Sequence, residues 1–449
     1  MAENKGTTAA QVANVSQEDY PLSAVPQSER RSLLSTSMVL LGFTFYIGSM
    51  YGGVLVGTSF GFWEMMFLIF LGDLVLGLYV ALLGIIACKT GLNANLLSRI
   101  SMGRYGSKIA DFIFLFTQLG WSGWGAAMIA KTFQTLLPDK LGADHWFVIL
   151  VFIVAILYSV SSFFGYKGLD YLSRFAVPAM LILILASIRI GLRDVGGWEG
   201  LMNIKPTTTA TWGTVITIIV GTYVSGGTNA TNWTRYAKTP QIAFWASIFA
   251  FLLGNGLMIF GGAWGALIYQ QNDMVLNIAS QGMMGWAIFL LIANTWSSQD
   301  NTYYITSISM CAFFNITKRR LCLVISVVIA IVMALSGVYE WMEAYLIWAG
   351  TFIPPIGGVI MGDYWTRWKG KMPAYHTIIQ RNFNWTGIIA YFAACLVAKF
   401  SPGIASINGI VAAIICYWIV DKIFNAVGKP QIPEVDPTIP DPYLAAQAQ

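Results

Sequence analysis

The chain has 449 residues, of which 56% are apolar and only 10% are charged, and its formal net charge is +5. Soluble domains carry roughly 25% charged residues, and a single core could not bury this much apolar surface. The composition therefore excludes an ordinary soluble protein and indicates a membrane protein, while the small net charge gives no reason to expect a nucleic-acid partner. With two histidines and five scattered cysteines, neither a multi-histidine metal site nor a disulfide framework is expected.

Twelve apolar stretches are each long enough to form a helix of about 20 residues, the length that crosses a bilayer. A polar amino-terminal tail, 1–33, and a proline-rich carboxy-terminal tail, 425–449, flank them and are expected to be disordered. The loops between the stretches are short, so the sequence predicts one all-α polytopic bundle without a separate soluble domain. The stretches, numbered as spans one to twelve, are 34–60, 63–88, 107–136, 146–165, 170–193, 210–234, 241–269, 281–313, 320–338, 341–364, 384–400 and 404–424.

The basic residues are distributed unevenly between the two sides of these spans. If the amino terminus is cytoplasmic, 20 of the 26 lysines and arginines fall in cytoplasmic segments. Positively charged loops stay in the cytoplasm. We therefore expect a multi-pass protein with both termini on the cytoplasmic side of its membrane.

Spans one and six each contain a glycine cluster: Gly48 and Gly52–Gly53 in span one, and Gly226–Gly227 in span six. Glycine weakens a helix interior by about 1 kcal/mol relative to alanine, so both spans are expected to be broken there. Close helix packing through the glycines is the alternative. Span six lies five spans after span one. Because five is an odd number of crossings, the second block of five spans enters the membrane from the opposite side and is inverted relative to the first. Inverted repeats over 34–193 and 210–364, each with a broken first helix, predict a transporter whose binding site lies at the breaks.

Span three places an amide and an indole on one helical face near its middle. Gln118 and Trp121 are three residues apart there, and polar side chains inside a membrane point into the bundle. Packing within the bundle is the alternative for either residue. Tyr223 lies just before the glycine pair of span six, and no lysine or arginine lies nearby. The sequence therefore predicts a slot between Trp121 and Tyr223 that holds a flat, neutral, polar heterocycle.

Span eight carries three polar residues on one helical face. Asn294, Ser297 and Ser298 occupy positions i, i+3 and i+4. Hydroxyls in membrane helices often bond only to their own backbone. Together with freed carbonyls of span one, however, these groups form an uncharged cage of oxygens, such as binds Na⁺ in broken-helix transporters. We therefore expect Na⁺ as the coupling ion and no organic cofactor.

Five segments of the chain have a more specific pattern: LGFTF in span one, KTGLNANLLSR after span two, TQLGW in span three, NTWSSQDN in span eight and IPPIGGVIMGDY in span ten. With them, most of the chain resembles the nucleobase–cation symporters of the purine–cytosine permease family. The resemblance implies a LeuT-type fold in which spans one to five and six to ten are inverted repeats. It also implies sodium-coupled import of a nucleobase by alternating access, with cytosine as the favoured substrate. The expected setting is a bacterial inner membrane, and the expected oligomeric state is a monomer.

The resemblance implies particular residues for both sites. A base would lie between Trp121 and Tyr223, with polar contacts from Gln118, Ser225, Gly226 and Asn294. The implied Na⁺ ligands are the carbonyls of Gly42, Phe45 and Asn294 and the hydroxyls of Ser297 and Ser298. Tyr223 stands where the family pattern has phenylalanine, which leaves the choice of base open. The two serines stand where the pattern has threonines and keep both hydroxyl oxygens.

Two other hypotheses are consistent with parts of the sequence. A proton-coupled symporter would carry another flat heterocycle (a purine, uracil, a hydantoin or a vitamin precursor), with Asp73 in span two as the proton carrier, because intramembrane acids often mark proton paths. A membrane-embedded receptor or enzyme belongs to a different class, and the sequence shows no convergent nucleophile, base or metal cluster for the enzyme. Concentrative uptake of unmodified substrate would distinguish a transporter from a receptor or an enzyme.

Overall fold

The computed structural model describes residues 20–46, 48–164, 166–270 and 274–439, without the side chains of residues 166–177, 179–180, 274–275, 277, 287, 290–291, 293, 297 and 338–339. These residues are mostly helical. The helices are Gln27–Glu29, Leu33–Thr44, Gly48–Ser59, Phe62–Thr90, Ala94–Met102, Lys108–Leu136, Pro138–Leu141, Asp144–Phe163, Tyr166–Asp194, Gly197–Met202, Trp212–Asn229, Thr231–Thr234, Pro240–Phe249, Ala250–Asn255, Gly256–Tyr269, Met274–Ser280, Met284–Phe314, Arg319–Leu335, Val338–Trp341, Met342–Phe352, Pro354–Gly362, Asp363–Arg367, Tyr375–Thr377, Trp385–Phe400 and Ala405–Ala426. The two short strands, Ile378–Ile379 and Glu434–Val435, pair antiparallel.

Each of the twelve apolar stretches is helical over most of its length. Within the described residues, six helices are long and apolar enough to cross a membrane, and the bent pair in span one makes a seventh. Spans four and twelve bury only 28% and 17% of their most apolar window inside the bundle, and Phe152 and Ile156 of span four are exposed. Apolar faces of this kind fit lipid rather than water. The count of twelve crossings stays a prediction.

Span one is broken, as predicted, and its two helices, Leu33–Thr44 and Gly48–Ser59, meet at 63°. The amide of Tyr46 donates to the Thr44 carbonyl at 2.8 Å, whereas in an unbroken helix it would donate to Gly42, four residues back. The break therefore begins at Phe45, ahead of the glycines, and two backbone carbonyls lose their helical partners there.

The interruption of span six lies at Ala230, so the predicted position of its break, Gly226–Gly227, is wrong. One continuous helix runs from Trp212 to Asn229, and the short helix Thr231–Thr234 follows. A Cβ on Gly226 would lie 2.6 Å from Cζ of Phe43, and one on Gly227 would lie 2.8 Å from Cγ2 of Val80. These two glycines therefore allow spans one and two to pack closely on span six, which was the alternative explanation of their pairing.

The second helix of span one packs on span seven through backbone contacts that require glycine. A Cβ on Gly53 would lie 2.0 Å from the carbonyl oxygen of Ile259, and one on Gly262 would lie 2.0 Å from that of Met50. Real Cβ atoms do not approach this closely, so the two helices meet at a distance that only glycine permits. The glycine pair of span one thus serves packing rather than unwinding.

We expect Gly53→Ala to lower the free energy of unfolding by about 1–3 kcal/mol, the usual cost of overpacking. The atom it would meet belongs to the backbone of span seven and cannot turn away. Thermal denaturation of the purified protein measures the effect. Gly285→Ala is the matched control, because nothing lies within 4 Å of a Cβ at that helical position. Equal melting temperatures for the two variants would contradict the packing argument.

Parts of both predicted tails are ordered, so the expectation of disorder is wrong for them. The buried Arg30 donates from Nη1 to the carbonyls of Cys88, Arg235 and Ala237, which ties residues 20–31 to the ends of spans two and six. At the other end, Glu434–Val435 forms its strand pair. A buried guanidinium needs several acceptors, and only the folded bundle supplies them. Residues 1–19 and 440–449 lie outside the described part.

Candidate functional site

Spans one, three, six and eight meet around a small cavity of about 10 Å³. A space of this size holds at most about one water molecule, so the site is closed in this structure. No charged side chain lines the cavity, and its polar groups are amide, hydroxyl and phenol. The lining residues are Phe43, Tyr46, Gln118, Trp121, Thr222, Tyr223, Gly226 and Thr302.

The ring of Tyr46 contacts both of the rings that were predicted to face each other. Its centroid is 5.3 Å from that of Trp121 and 6.3 Å from that of Tyr223, with interplanar angles of 78° and 84°. A flat ligand can lie between Trp121 and Tyr223 only after Tyr46 moves away. Sequence reasoning missed Tyr46, and the available signal was an aromatic residue directly beside the break of span one.

Tyr46 lies at the break of span one and is held there by side-chain contacts. Nε2 of Gln299 donates to the Tyr46 hydroxyl at 3.2 Å and to the Trp121 carbonyl at 3.1 Å. Because Tyr46 follows the last helical turn of Leu33–Thr44, its backbone can rotate without breaking a helix. The break thus supplies a movable aromatic ring beside the cavity.

Two of the predicted polar contacts, Gln118 and Gly226, line the cavity, and a third, Ser225, is bonded to Gln118. Nε2 of Gln118 donates to Oγ of Ser225 at 2.9 Å, and Thr117 Oγ1 lies 2.5 Å from the same oxygen. Gly226 lines the cavity beside them. The Tyr223 hydroxyl donates to the Phe43 carbonyl, so this hydroxyl ties span six to span one.

The structure does not bring Asn294 to the cavity. Its side chain is fully buried, and its Nδ2 lies 3.8 Å from Sδ of Met258 on span seven. Its carbonyl accepts the Ser298 hydroxyl at 2.9 Å. In this closed state Asn294 does not line the small cavity, and its two predicted roles, as a base contact and as a Na⁺ ligand, both stay predictions.

A much larger cavity of about 560 Å³ lies on the far side of Trp121, between spans three, nine and ten. This volume is within the range of small-molecule sites, and Trp121 lines both cavities. Tyr345 of span ten packs edge-on against Trp121 at 5.4 Å and donates to the Thr117 carbonyl at 3.0 Å. Trp121 and Tyr345 therefore form the wall between the two spaces, and nothing in the sequence pointed to Tyr345.

Two of the backbone carbonyls predicted to bind Na⁺ have lost their helical hydrogen bonds, which suits a small monovalent cation. The amides that would bond the Gly42 and Phe45 carbonyls in an unbroken helix donate elsewhere, that of Tyr46 to Thr44 and that of Ser49 to Tyr46. Both carbonyls are thus freed by the break, and freed carbonyls are typical cation ligands in such transporters.

Span eight completes the set of candidate ligands beside the break. The Ser298 hydroxyl donates its proton to its own helix backbone, which leaves the oxygen lone pairs available to a cation. Spans one and eight are joined at this point by Gln299 and Tyr46. The side chain of Ser297 lies outside the described residues, so its predicted role stays a prediction.

Sequence comparison identifies relatives over nearly the whole chain. The profile of a family described as permease for cytosine/purines, uracil, thiamine, allantoin matches residues 24–421. The chain is 31% identical over 407 residues to proteins named cytosine permease from Escherichia coli O157:H7 and Escherichia coli strain K12, which covers 91% of this chain and 95% of each relative.

Structural comparison finds similar folds among solved transporters. Mhp1, a nucleobase-cation-symport-1 family transporter solved in a closed conformation with bromovinylhydantoin bound, aligns with a TM-score of 0.79 at 16% identity, covering 95% of this chain and 98% of that one. A Na⁺-coupled sialic acid symporter in an outward-open state aligns with a TM-score of 0.65 at 12% identity, covering 93% and 96%.

These similarities confirm the predicted all-α, LeuT-type fold of a multi-pass membrane protein. The profile match spans far more than half of the chain, and identity to the bacterial relatives exceeds 30% over nearly their full length. The chain therefore belongs to the family of permeases for cytosine and purines, uracil, thiamine and allantoin, and is a transporter rather than an enzyme.

Proposed function

We propose that this permease is a sodium-coupled symporter that imports a nucleobase, cytosine before others, by alternating access. The observation that carries the proposal is the uncharged cavity at the break of span one, which combines stacking rings with an amide and a hydroxyl. A neutral heterocycle with donors and acceptors along its edge suits such a lining. The relatives named cytosine permease support cytosine among the candidate bases.

In this proposal the base takes the place that the Tyr46 ring occupies in the closed structure. The face of Trp121 provides a stacking surface, and base–aromatic stacking contributes roughly 1–3 kcal/mol. The Gln118 amide and the Ser225 hydroxyl, which bond each other at 2.9 Å, then turn to the edge of the base. On the side of the larger cavity, the ring of Tyr345 packs against Trp121.

We expect Gln118→Leu to weaken base binding by up to about tenfold, because one net hydrogen bond is worth roughly 0.5–1.5 kcal/mol. Isothermal titration of the purified protein measures the dissociation constant. Gln134→Leu is the matched control, since that amide lies on the same helix and bonds the carbonyls of Leu141 and Ala143. Equal affinities for the two variants would exclude Gln118 from the base site.

Sodium is coupled to the base because the two sites share the break. A cation bound by the Gly42 and Phe45 carbonyls and the Ser298 hydroxyl fixes the conformation of the segment that contains Tyr46, which follows Phe45 directly. The position of the Tyr46 ring thereby depends on the ion. One imported charge at 100 mV contributes roughly 2.3 kcal/mol, which supports about fiftyfold accumulation.

Uptake of radiolabelled cytosine into liposomes that contain the purified protein tests the proposal. We expect accumulation under an inward Na⁺ gradient at fixed pH and its loss when K⁺ or choline replaces Na⁺. Competition by purines, uracil and hydantoins ranks the cargo. Uptake that follows an imposed pH gradient and ignores Na⁺ would overturn sodium coupling, and a different heterocycle winning the competition would overturn cytosine. Binding without accumulation would indicate a receptor.

A further inference from the structure

Span two contains a buried carboxyl that neither the base site nor the sodium site uses. Asp73 is fully buried and lies eleven residues after Phe62, well inside its helix. Nδ2 of Asn255, on span seven, donates to its Oδ1 at 2.7 Å. Within the described residues its Oδ2 has no hydrogen-bond partner. A buried carboxylate requires a counter-charge or several donors, and Asp73 has one neutral donor.

The other three buried carboxyls whose side chains the structure describes have either a second donor or a nearby cation. Asp111 is the matched case, because Asn95 donates to its Oδ1 at 2.8 Å, as Asn255 does to Asp73. Oδ2 of Asp111 and Oδ1 of Asn95 also lack a hydrogen-bond partner within the described residues, but the Lys108 ammonium lies 3.7 Å from that Oδ2. The two oxygens of Asp300 accept hydrogen bonds from Asn301 and Ser161. The two oxygens of Asp363 accept from Tyr417 and Trp368. Among these four carboxyls, only Asp73 has neither a second donor nor a nearby cation.

The unpartnered atoms at Asp73 occur as a complementary pair. Oδ1 of Asn255 is also buried, and the described residues provide no hydrogen-bond donor to it. A neutral carboxylic acid and a primary amide can form two reciprocal hydrogen bonds, in which the acid O–H supplies the donor that the amide oxygen lacks. We propose that Asp73 and Asn255 form a proton-binding site, in which the neutral acid of span two is paired with the amide of span seven.

The surroundings of this site favour a proton over a retained negative charge. No cation of the packed elements reaches it: Lys89, on the same helix, is sixteen residues away, about 24 Å along the axis. Nδ2 of Asn255 also lies 3.4 Å from the Thr222 hydroxyl, so the neighbouring groups are neutral. The titratable side chains on span two and the elements packed against it are Glu64, Tyr79, Cys88, Lys89, Tyr51, Tyr223 and Tyr269.

The proton-binding site is connected to the break of span one through span seven. Asn255 is the last residue of a π-helical turn, Ala250–Asn255, and such turns occur frequently at functional sites. The hydroxyl of Thr44, the last helical residue before the break, donates to the Ala250 carbonyl at 2.8 Å. One end of this π-helical turn, Asn255, therefore contacts the proton-binding site, and the other end, Ala250, contacts the residue before the break of span one.

Infrared spectroscopy of the full-length protein in lipid tests the site without reference to transport. At neutral pH in Na⁺-free buffer we expect the carbonyl band of a protonated carboxylic acid, which shifts when the protein is labelled with ¹³C-carboxyl aspartate. Absence of the band, or its disappearance when Na⁺ is added, would overturn the proposal; the second result would make Asp73 an ion ligand. The outcome does not depend on whether the protein carries cytosine or uses sodium.

Three variants assign the band to Asp73. Asp73→Asn is expected to remove it and still fold, because an amide also donates to the Asn255 oxygen, and circular dichroism checks the fold. Asp111→Asn is the matched control and is expected to keep the band. Asn255→Ala is expected to move it to higher frequency, since the acid loses its hydrogen bonds. Persistence of the band in Asp73→Asn, loss of it in Asp111→Asn, or an unchanged frequency in Asn255→Ala would each refute the assignment.

Discussion

Replacing Trp121 with alanine is expected to weaken cytosine binding by roughly 5- to 150-fold, the equivalent of 1–3 kcal/mol of lost stacking. The residue has a second role, because its ring is the wall between the small cavity and the larger one. Its removal joins the two spaces, so water reaches the base from the second side. Isothermal titration in saturating Na⁺ measures the loss, and uptake into liposomes should fall with it.

Trp121→Phe and Trp63→Ala complete this experiment. The phenylalanine variant keeps an aromatic face and should retain most of the affinity. Trp63 is 69% exposed on span two, so its removal should leave binding unchanged and controls for the general effect of losing an indole. Unaltered cytosine affinity in Trp121→Ala would refute the stacking arrangement. An equal loss in both alanine variants would attribute the effect to general damage.

Ser298→Ala is expected to raise the Na⁺ concentration for half-maximal uptake by roughly 10- to 100-fold, the range seen even for indirect partners of bound metals. The proposed cage contains only neutral oxygens, so each ligand carries a large share of the binding. The maximal rate at saturating Na⁺ should change little, because the hydroxyl does not line the base cavity. Initial uptake rates over a series of Na⁺ concentrations measure both quantities.

Two variants separate ion binding from a merely structural role for this hydroxyl. Ser298→Thr keeps the oxygen and should restore the Na⁺ dependence. Ser326→Ala removes a buried serine on span nine that donates to the carbonyl four residues back at 2.7 Å, as Ser298 does at 2.9 Å, and it should leave the Na⁺ dependence unchanged. An unshifted Na⁺ requirement in Ser298→Ala would exclude that residue as a ligand.

Span six shows why one sequence signal predicted the wrong feature. A glycine pair weakens a helix, and it also allows another helix to approach closely; both effects come from the missing Cβ. In span one the chain unwinds next to glycine, whereas in span six Gly226 and Gly227 stay helical against Phe43 and Val80. The deciding contacts are with other spans, which hydropathy and spacing along one span do not describe.

At the site, too, some features follow from the sequence of a single span and others depend on contacts between spans. Gln118, Ser225 and Gly226 lie close together in the structure, because helical spacing and the cost of polar groups in lipid already restrict them to the interior. Tyr46 was missed, since its ring reaches the cavity only through the 63° bend of span one. Asn294 was predicted both as a base contact and as a Na⁺ ligand; in the closed structure its side chain contacts Met258, because the rotation of span eight in the bundle is set by its neighbours.

The sequence by itself determined that the chain resides in a membrane, where its apolar stretches lie, and which polar residues must face the interior. These properties follow from the transfer of each segment out of water, and each segment carries that information alone. Only the tertiary structure decided where spans one and six are interrupted, that Tyr46 contacts both Trp121 and Tyr223, and that Asp73 has one neutral partner. These features depend on contacts between different spans, which are created when the helices pack.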